Sequence, residues 1–171
     1  ASGFSSPGKV KVYYNLGNEL EATPSFVSEE YYNFSCALGD ADGDGDLDLA
    51  ATGGEPYSSL LDYGRIFINN SGIFELSYVW ESDIQMGALD VEFGDINRDG
   101  YMDVIFVCEG TDNYIFPGRA QGGIDPSPAW HSSEPESYIN SVDIGYRGDN
   151  EALVVMTENS QLGGQGRVRS Y

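Results

Sequence analysis

The sequence predicts an all-β protein, a β-propeller built of four-stranded antiparallel blades, on three observations. Short runs rich in Val, Ile, Phe and Tyr alternate with turn residues, including 22 Gly, and leave no place for long helices. An acidic loop and its flanking strands recur at a period of about fifty residues, which is in the range of propeller blades. Apolar residues occupy both faces of the strands beside this loop, as expected for sheets stacked on one another. A β-sandwich gives no reason for such a repeat.

Composition limits the partners that this chain can have. Its 171 residues with 40% hydrophobic content are enough for a single domain with a buried core. The net charge of -20 argues against nucleic acid as a partner, because such a chain repels phosphate backbones. No run of apolar residues is long enough for membrane insertion. The acidic excess favours bound divalent cations, which offset its self-repulsion.

The repeat divides the chain into units at approximately 1–32 (partial), 33–82, 88–133 and 138–171 (partial), and each complete unit is predicted to contain four strands. The first strand leads into the acidic loop ("FSCALGD", "LDVEFGD", "NSVDIGY"), and the second leaves it ("LDLAATG", "DVIFVCE", "EALVVMT"). The third belongs to the series "GKVKVYYN", "YGRIFINN", "NYIFPG" and "GRVRSY", and the fourth carries Phe26, Trp80 or Trp130. The two cysteines, Cys36 and Cys108, fall in predicted strands, where buried free thiols are favoured over a bridge.

This register gives about three blades' worth of sequence in the chain. Propellers close with roughly four to eight blades, so one copy does not complete a ring. Two interpretations remain open: the chain is a piece of a longer protein, or copies associate through their end blades.

The acidic loops carry the pattern of a metal site. A hard cation such as Ca²⁺ takes six to eight oxygen ligands, and a turning backbone with a carboxylate or amide at every second position directs such oxygens inward. Two Ca²⁺ sites are therefore predicted. The ligands of the first are Asp40, Asp42, Asp44 and Asp48 through side chains and Asp46 through its carbonyl; those of the second are Asp95, Asn97, Asp99 and Asp103 through side chains and Tyr101 through its carbonyl.

These loops are not EF-hands, since the twelfth position holds Ala51 or Phe106 instead of Glu. The stretches "GDADGDGDLDLA" and "GDINRDGYMDVI", each between two apolar strands, resemble the calcium-binding loops of FG-GAP or VCBS repeats, known from integrin α heads and from many bacterial extracellular proteins. The resemblance covers nearly the whole chain at repeat level and is specific at these two loops. It implies a β-propeller in which calcium ties together the first two strands of a blade, with a role in adhesion, recognition or scaffolding.

The third unit departs from this pattern. Aligning "VDIGY" with "VEFGD" leaves "RGDNE" (147–151) as a shorter turn, so no calcium is predicted there. The tripeptide Arg147-Gly148-Asp149 in this turn is interpreted as turn chemistry, not as a recognition motif.

The sequence offers little evidence for catalysis. It contains no Gly-x-Ser-x-Gly, no His-Glu-x-x-His and no phosphate-binding glycine loop, and its one histidine, His131, follows Trp130 at a repeat position that is Glu81 in the preceding unit. Trp80 and Trp130 are interpreted as packing residues. Tyr57 and Tyr63 border an irregular loop, "GGEPYSSLLDYG", which is the candidate ligand-binding surface because irregular loops on a repeated scaffold are where recognition is usually placed.

The sequence therefore predicts a non-catalytic, calcium-stabilised module for binding, adhesion or assembly, secreted or at the cell surface, with a protein or glycan ligand. One alternative is a self-assembling subunit whose partner is another copy of itself. The other is an accessory carbohydrate-binding or catalytic part of a glycan-active enzyme.

Overall fold

The computed structural model describes residues 6–132, 139–148, 151–158 and 168–170. The described chain is all-β, every strand pair in it is antiparallel, and its one short helix is a 3₁₀ turn at Pro56–Ser58. The all-β prediction is confirmed. The strands are β1 (Lys11–Val12), β2 (Phe26–Val27), β3 (Cys36–Gly39), β4 (Asp48–Ala51), β5 (Asp62–Phe67), β6 (Asn69–Asn70), β7 (Ile73–Phe74), β8 (Trp80–Met86), β9 (Ala88–Gly94), β10 (Asp103–Cys108), β11 (Tyr114–Phe116), β12 (Trp130–His131), β13 (Ile139–Arg147), β14 (Glu151–Glu158) and β15 (Val168–Ser170).

Four sheets follow one another along the chain, and β6 with β7 forms a separate hairpin. Sheet A contains β1 and β2; sheet B has the order β3-β4-β5-β8; sheet C has the order β9-β10-β11-β12; sheet D has the order β13-β14-β15. Sheets B and C thus have the same topology, with each strand paired to the next one in the unit. Each predicted strand segment overlaps a strand of these sheets in the predicted order, but the end of "YGRIFINN" lies in β6, outside sheet B.

A buried serine links the third and fourth strands in the same way in sheets A, B and C. Each serine lies two residues after the aromatic residue aligned in the sequence, and its hydroxyl accepts a hydrogen bond from a backbone N–H at or just before the third strand. The three bonds run from Val10 to Ser28 at 2.9 Å, from Gly64 to Ser82 at 3.0 Å and from Asn113 to Ser132 at 3.0 Å. Because each bond satisfies a buried donor, it fixes how the fourth strand is placed against the third.

The sheets pack face to face, with an apolar cluster between each neighbouring pair. Along β4, Leu49 and Ala51 pack towards sheet A while Ala50 packs towards sheet C. Along β10, Phe106 packs towards sheet B and Ile105 towards sheet D. Sheets B and C are therefore covered on both faces, which accounts for their continuous apolar strands.

Glycine at the end of the first strand lets the sheets approach closely. A Cβ added to Gly39 of sheet B would lie 2.5 Å from Cγ of Phe93 in sheet C. At the equivalent position of sheet C, a Cβ on Gly94 would lie 2.9 Å from Cδ1 of Ile144 in sheet D. Both glycines precede the first aspartate of an acidic loop, so the same Gly-Asp pair serves the sheet interface and the loop.

We expect Gly39→Ala to lower the free energy of unfolding by about 1–3 kcal/mol, because the added methyl group overpacks the contact with Phe93. Gly145→Ala is the matched control. Gly145 occupies the same repeat position in sheet D, and nothing lies within 4 Å of a Cβ placed there. Chemical denaturation of both variants measures the difference, and equal stability of the two would contradict the interface described here.

Candidate metal centre

The two acidic loops join the first strand of a sheet to its second strand. The first loop runs between β3 and β4, where Gly39 pairs with Asp48, and the second between β9 and β10, where Gly94 pairs with Asp103. Asp48 and Asp103 are the first residues of their strands and are 0% and 1% exposed.

The last aspartate of each loop is held by the same set of backbone donors. Oδ2 of Asp48 accepts from the N–H of Ala41 at 2.8 Å, as Oδ2 of Asp103 does from Ile96 at 2.9 Å. Oδ1 of Asp48 accepts from Asn69 at 2.9 Å, just after the third strand. Oδ1 of Asp103 accepts from Gly118 at 2.8 Å, also just after the third strand. Each buried carboxylate therefore ties the loop to the third strand of its own sheet.

The first aspartate of each loop folds the loop around its own carboxylate. Oδ2 of Asp40 accepts from the N–H of Gly45 at 3.1 Å, and Oδ2 of Asp95 from Gly100 at 3.1 Å. Gly45 and Gly100 have φ of 95° and 91°, a left-handed conformation that favours glycine. Arg98 also adopts positive φ, at 64°.

Three carboxylates of the first loop lie close enough to share one ion. Asp40, Asp42 and Asp48 each offer an oxygen, and these atoms lie within 4.8 Å of one another. Oxygens bound to the same Ca²⁺ at about 2.3–2.6 Å are at most about 5 Å apart, so this group fits a single Ca²⁺. Asp44 and Asp46 are not part of the group, and Oδ2 of Asp46 accepts from the N–H of Ser71 at 2.8 Å.

The second loop places its predicted ligands differently. Asn97 stands where the first loop has Asp42; its side-chain amide donates to Oδ2 of Asp99 at 2.9 Å, and its Oδ1 accepts from the N–H of Asp99 at 2.9 Å. Tyr101 is 40% exposed, and its N–H donates to Oδ1 of Asp99 at 2.9 Å. Within the described ranges, only the first loop brings three acidic, histidine or cysteine side chains to within metal-binding distance of one another.

Sheet D contacts the second loop through Tyr146. The hydroxyl of Tyr146 accepts a hydrogen bond from the N–H of Asp95 at 2.9 Å, and the guanidinium of Arg98 lies 4.8 Å from the centre of its ring. Tyr146 stands at the repeat position of Asp40 and Asp95, so the third unit has a tyrosine in place of the first aspartate of the loop. Sheet D therefore supports the neighbouring acidic loop.

The hairpin of β13 and β14, which is the third unit's equivalent of the acidic loops, has a short turn, as the alignment predicts. The strands β13 and β14 continue up to the pair Arg147 and Glu151, whose side chains form an ion pair at 3.2 Å. Asp149 of the Arg-Gly-Asp tripeptide lies outside the described residues.

Trp80 and Trp130 are packed between sheets, whereas His131 lies at the surface. Trp80 stacks on Phe106 with 6.3 Å between ring centroids, and Trp130 packs against the cluster between sheets C and D. His131 is exposed, and its Nδ1 lies 3.0 Å from Oδ2 of Asp112.

The two tyrosines of the candidate ligand surface, Tyr57 and Tyr63, lie in different secondary-structure elements and differ in exposure. Tyr57 lies in the 3₁₀ turn and is 56% exposed, whereas Tyr63 lies within β5 and is half-buried. Cys36 and Cys108 are free thiols, and the expectation that both are buried is wrong for Cys36, which is exposed because it lies on the face of β3 that also carries the exposed Leu38, opposite the buried Ala37. Burial raises the pKa of Cys108 to about 12.

Two adjoining grooves border the first loop, and Asp42 lines both. A groove of about 660 Å³ lies beside Trp80, Glu81 and Arg119. A second, of about 370 Å³, lies between the acidic loops and is also lined by Tyr101. Both grooves therefore lie beside a residue of the carboxylate group.

Comparison with known proteins finds no family model that matches this chain and no curated protein similar to it. In the described part of the chain, no helix has the length and apolar character needed to cross a membrane.

Burial raises the pKa of Asp48 and of Asp103, while the backbone N–H donors act in the opposite direction. The folded state therefore binds protons at these groups more tightly than the unfolded chain does. In calcium-free buffer, their contribution to the free energy of unfolding is largest below the ordinary carboxyl pKa and falls as pH rises through the raised values.

In calcium-free buffer, we therefore subtract the free energy of unfolding of Asp48→Asn from that of the unmodified chain. We expect this difference to fall as pH increases from about 4 to 7. Urea denaturation of both proteins across this range measures it. A difference that stays constant, or that grows with pH, would show that hydrogen bonding outweighs burial at Asp48.

Without calcium, Asp103→Ala should lower the free energy of unfolding by about 2–4 kcal/mol, because the buried N–H groups that donate to Asp103 lose their acceptor. Asp44→Asn should change stability by no more than about 0.5 kcal/mol under the same conditions, since Asp44 is exposed. Denaturant unfolding in EGTA compares the two variants, and similar losses would refute the anchoring role given to Asp103.

Proposed function

We propose that this chain is a calcium-stabilised segment of an extracellular β-propeller that acts as a non-catalytic module for binding, adhesion or assembly. The observation that carries the proposal is the group formed by Asp40, Asp42 and Asp48, in a loop between the first two strands of a stacked sheet. A net charge of -20 supports it, because bound cations offset the repulsion among clustered carboxylates.

The stacking of the sheets supports the propeller part of the proposal. Sheets B and C repeat one four-stranded topology, and β3 contacts β9, which in turn contacts β13. First strands that follow one another in this way are expected around the axis of a propeller, with the fourth strands at the rim. Each sheet is then a blade, and the apolar clusters between sheets are the interfaces between blades.

The mechanism is structural. An ion bound by the first loop neutralises carboxylates that otherwise repel one another, and it fixes the loop on β3 and β4. Since Asp48 also bonds the backbone after β5, the ion stabilises three strands of sheet B. The fixed loops then present the two grooves beside them, where the mixture of Trp80, Glu81 and Arg119 suits a protein or glycan ligand better than a polyanion.

Calcium binding tests the proposal directly. We expect Ca²⁺ to raise the free energy of unfolding by about 2.7 kcal/mol when free Ca²⁺ exceeds Kd a hundredfold, and EGTA to reverse this gain. Thermal unfolding and calorimetric titration measure the effect. Asp42→Asn should weaken binding at the first loop at least tenfold, because it removes one of the three grouped carboxylates.

The matched control is Asp112→Asn, an aspartate outside both loops, which should bind Ca²⁺ as the unmodified chain does. Magnesium should give a smaller gain, since it prefers a rigid six-coordinate shell and retains water. A melting temperature that is the same in Ca²⁺ and in EGTA would rule out the proposed role.

A further inference from the structure

A second carboxylate site lies at the opposite end of sheets B and C from the acidic loops. The strand β4 begins at the first loop, and the chain that follows it reaches Glu55, which caps the 3₁₀ turn. The strand β10 begins at the second loop and is followed by Glu109. Neither glutamate is part of the calcium sites proposed above.

Glu55 is a buried acid with an unpartnered oxygen. It is 1% exposed, and its Oε1 accepts from the N–H of Tyr57 at 3.1 Å. Its Oε2 is shielded from solvent and has no hydrogen-bond partner in the described structure, where Glu55 also forms no ion pair. Leaving such a group unsatisfied is costly. Protonation alone does not remove the cost, because a carboxylic O–H needs an acceptor.

Tyr57 joins Glu55 to Glu109. While its N–H donates to Glu55, its hydroxyl hydrogen-bonds to the Glu109 carboxylate. Burial raises the pKa of Glu109, and the nearby charge of Glu55 raises it further, against the effect of the Tyr57 hydrogen bond. The two carboxylates thus repel each other, and Glu109 is half-buried, so it is more accessible to solvent than Glu55.

The backbone around Glu55 is fixed. Gly54 has φ of 96°, and a Cβ there would lie 2.9 Å from the carbonyl oxygen of Leu60. Pro56 packs so closely on Gly87 that a Cβ on this glycine would lie 2.9 Å from Cβ of Pro56. The backbone on either side of Glu55 is therefore closely packed, and the Oε2 atom that lacks a partner lies inside the fold.

We propose that Glu55 and Glu109 bind a divalent cation at this end of the sheets, at a site separate from the acidic loops. The cation supplies the partner that Oε2 of Glu55 lacks, and it balances two carboxylates that have no basic partner in the described residues. Because the side-chain ligands are hard oxygens and the charge to be balanced is two, Ca²⁺ is the ion that fits best. Bound there, it connects the end of β4 to the end of β10 and so links sheets B and C.

The test counts the Ca²⁺ ions bound by the intact chain, with native mass spectrometry and equilibrium dialysis. Glu55→Gln is expected to bind one ion fewer than the unmodified chain, and Glu109→Gln is expected to lose the same ion. The double variant then also loses one ion, not two. Glu19→Gln, which makes the same chemical change at an exposed site, keeps the full number.

An unchanged ion count in Glu55→Gln would overturn the proposal and assign the buried oxygen to a proton or to an internal water. Circular dichroism shows whether this variant folds. If it does not fold, Glu109→Gln decides alone, since Glu109 is more exposed. Asp42→Asn run in parallel separates this site from the first loop: if equilibrium dialysis shows unchanged Ca²⁺ affinities in Asp42→Asn while Glu55→Gln loses an ion, the proposed loop site fails and the present site stands.

Discussion

The interaction on which the architecture depends is the bonding of a buried aspartate to backbone N–H groups from two different segments. Asp48 and Asp103 each begin the second strand of a sheet, accept from their own loop through one oxygen and accept from the chain after the third strand through the other. Removing a carboxylate from water at these positions is costly, and the costs are offset only when both oxygens are satisfied. The loop, the second strand and the third strand are thereby held in one arrangement.

The Gly-Asp pairs connect this arrangement to the stacking of sheets. Gly39 and Gly94 lack the side chain that would keep Phe93 and Ile144 away, and the aspartate that follows each glycine folds the acidic loop. The contact between sheets and the first carboxylate of the loop therefore lie one residue apart in the chain. Tyr146 adds a second connection, since it lies on sheet D and bonds the backbone of Asp95 in sheet C.

The excess of acidic over basic residues is the reason to expect bound cations in this chain. A chain with 28 acidic and 8 basic residues has few internal partners for its carboxylates. Arg65, whose side chain is 11% exposed, is already paired with Asp62 and Glu81 and lies over Tyr31. Acidic groups that have neither a basic partner nor a side-chain donor must be solvated, bonded to backbone N–H groups or bound to ions. The first loop and the pair formed by Glu55 and Glu109 are the places where we assign ions.

The sequence by itself determined the strands of the four sheets, their order within a sheet and the position of the acidic loops, because alternation, turn residues and repeat spacing are local properties of the chain; it did not show the separate hairpin of β6 and β7. It placed Phe26, Trp80 and Trp130 in register, and the serines two residues after them were readable from the same alignment.

Only the tertiary structure decided which carboxylates of the first loop meet, since the loop directs Asp40, Asp42 and Asp48 inward but uses Asp46 to bond Ser71. It also decided that Tyr57 joins Glu55 to Glu109, which are distant in sequence. Contacts of this kind depend on how sheets stack, and stacking is set by the packing of side chains from separate units, which no local pattern encodes.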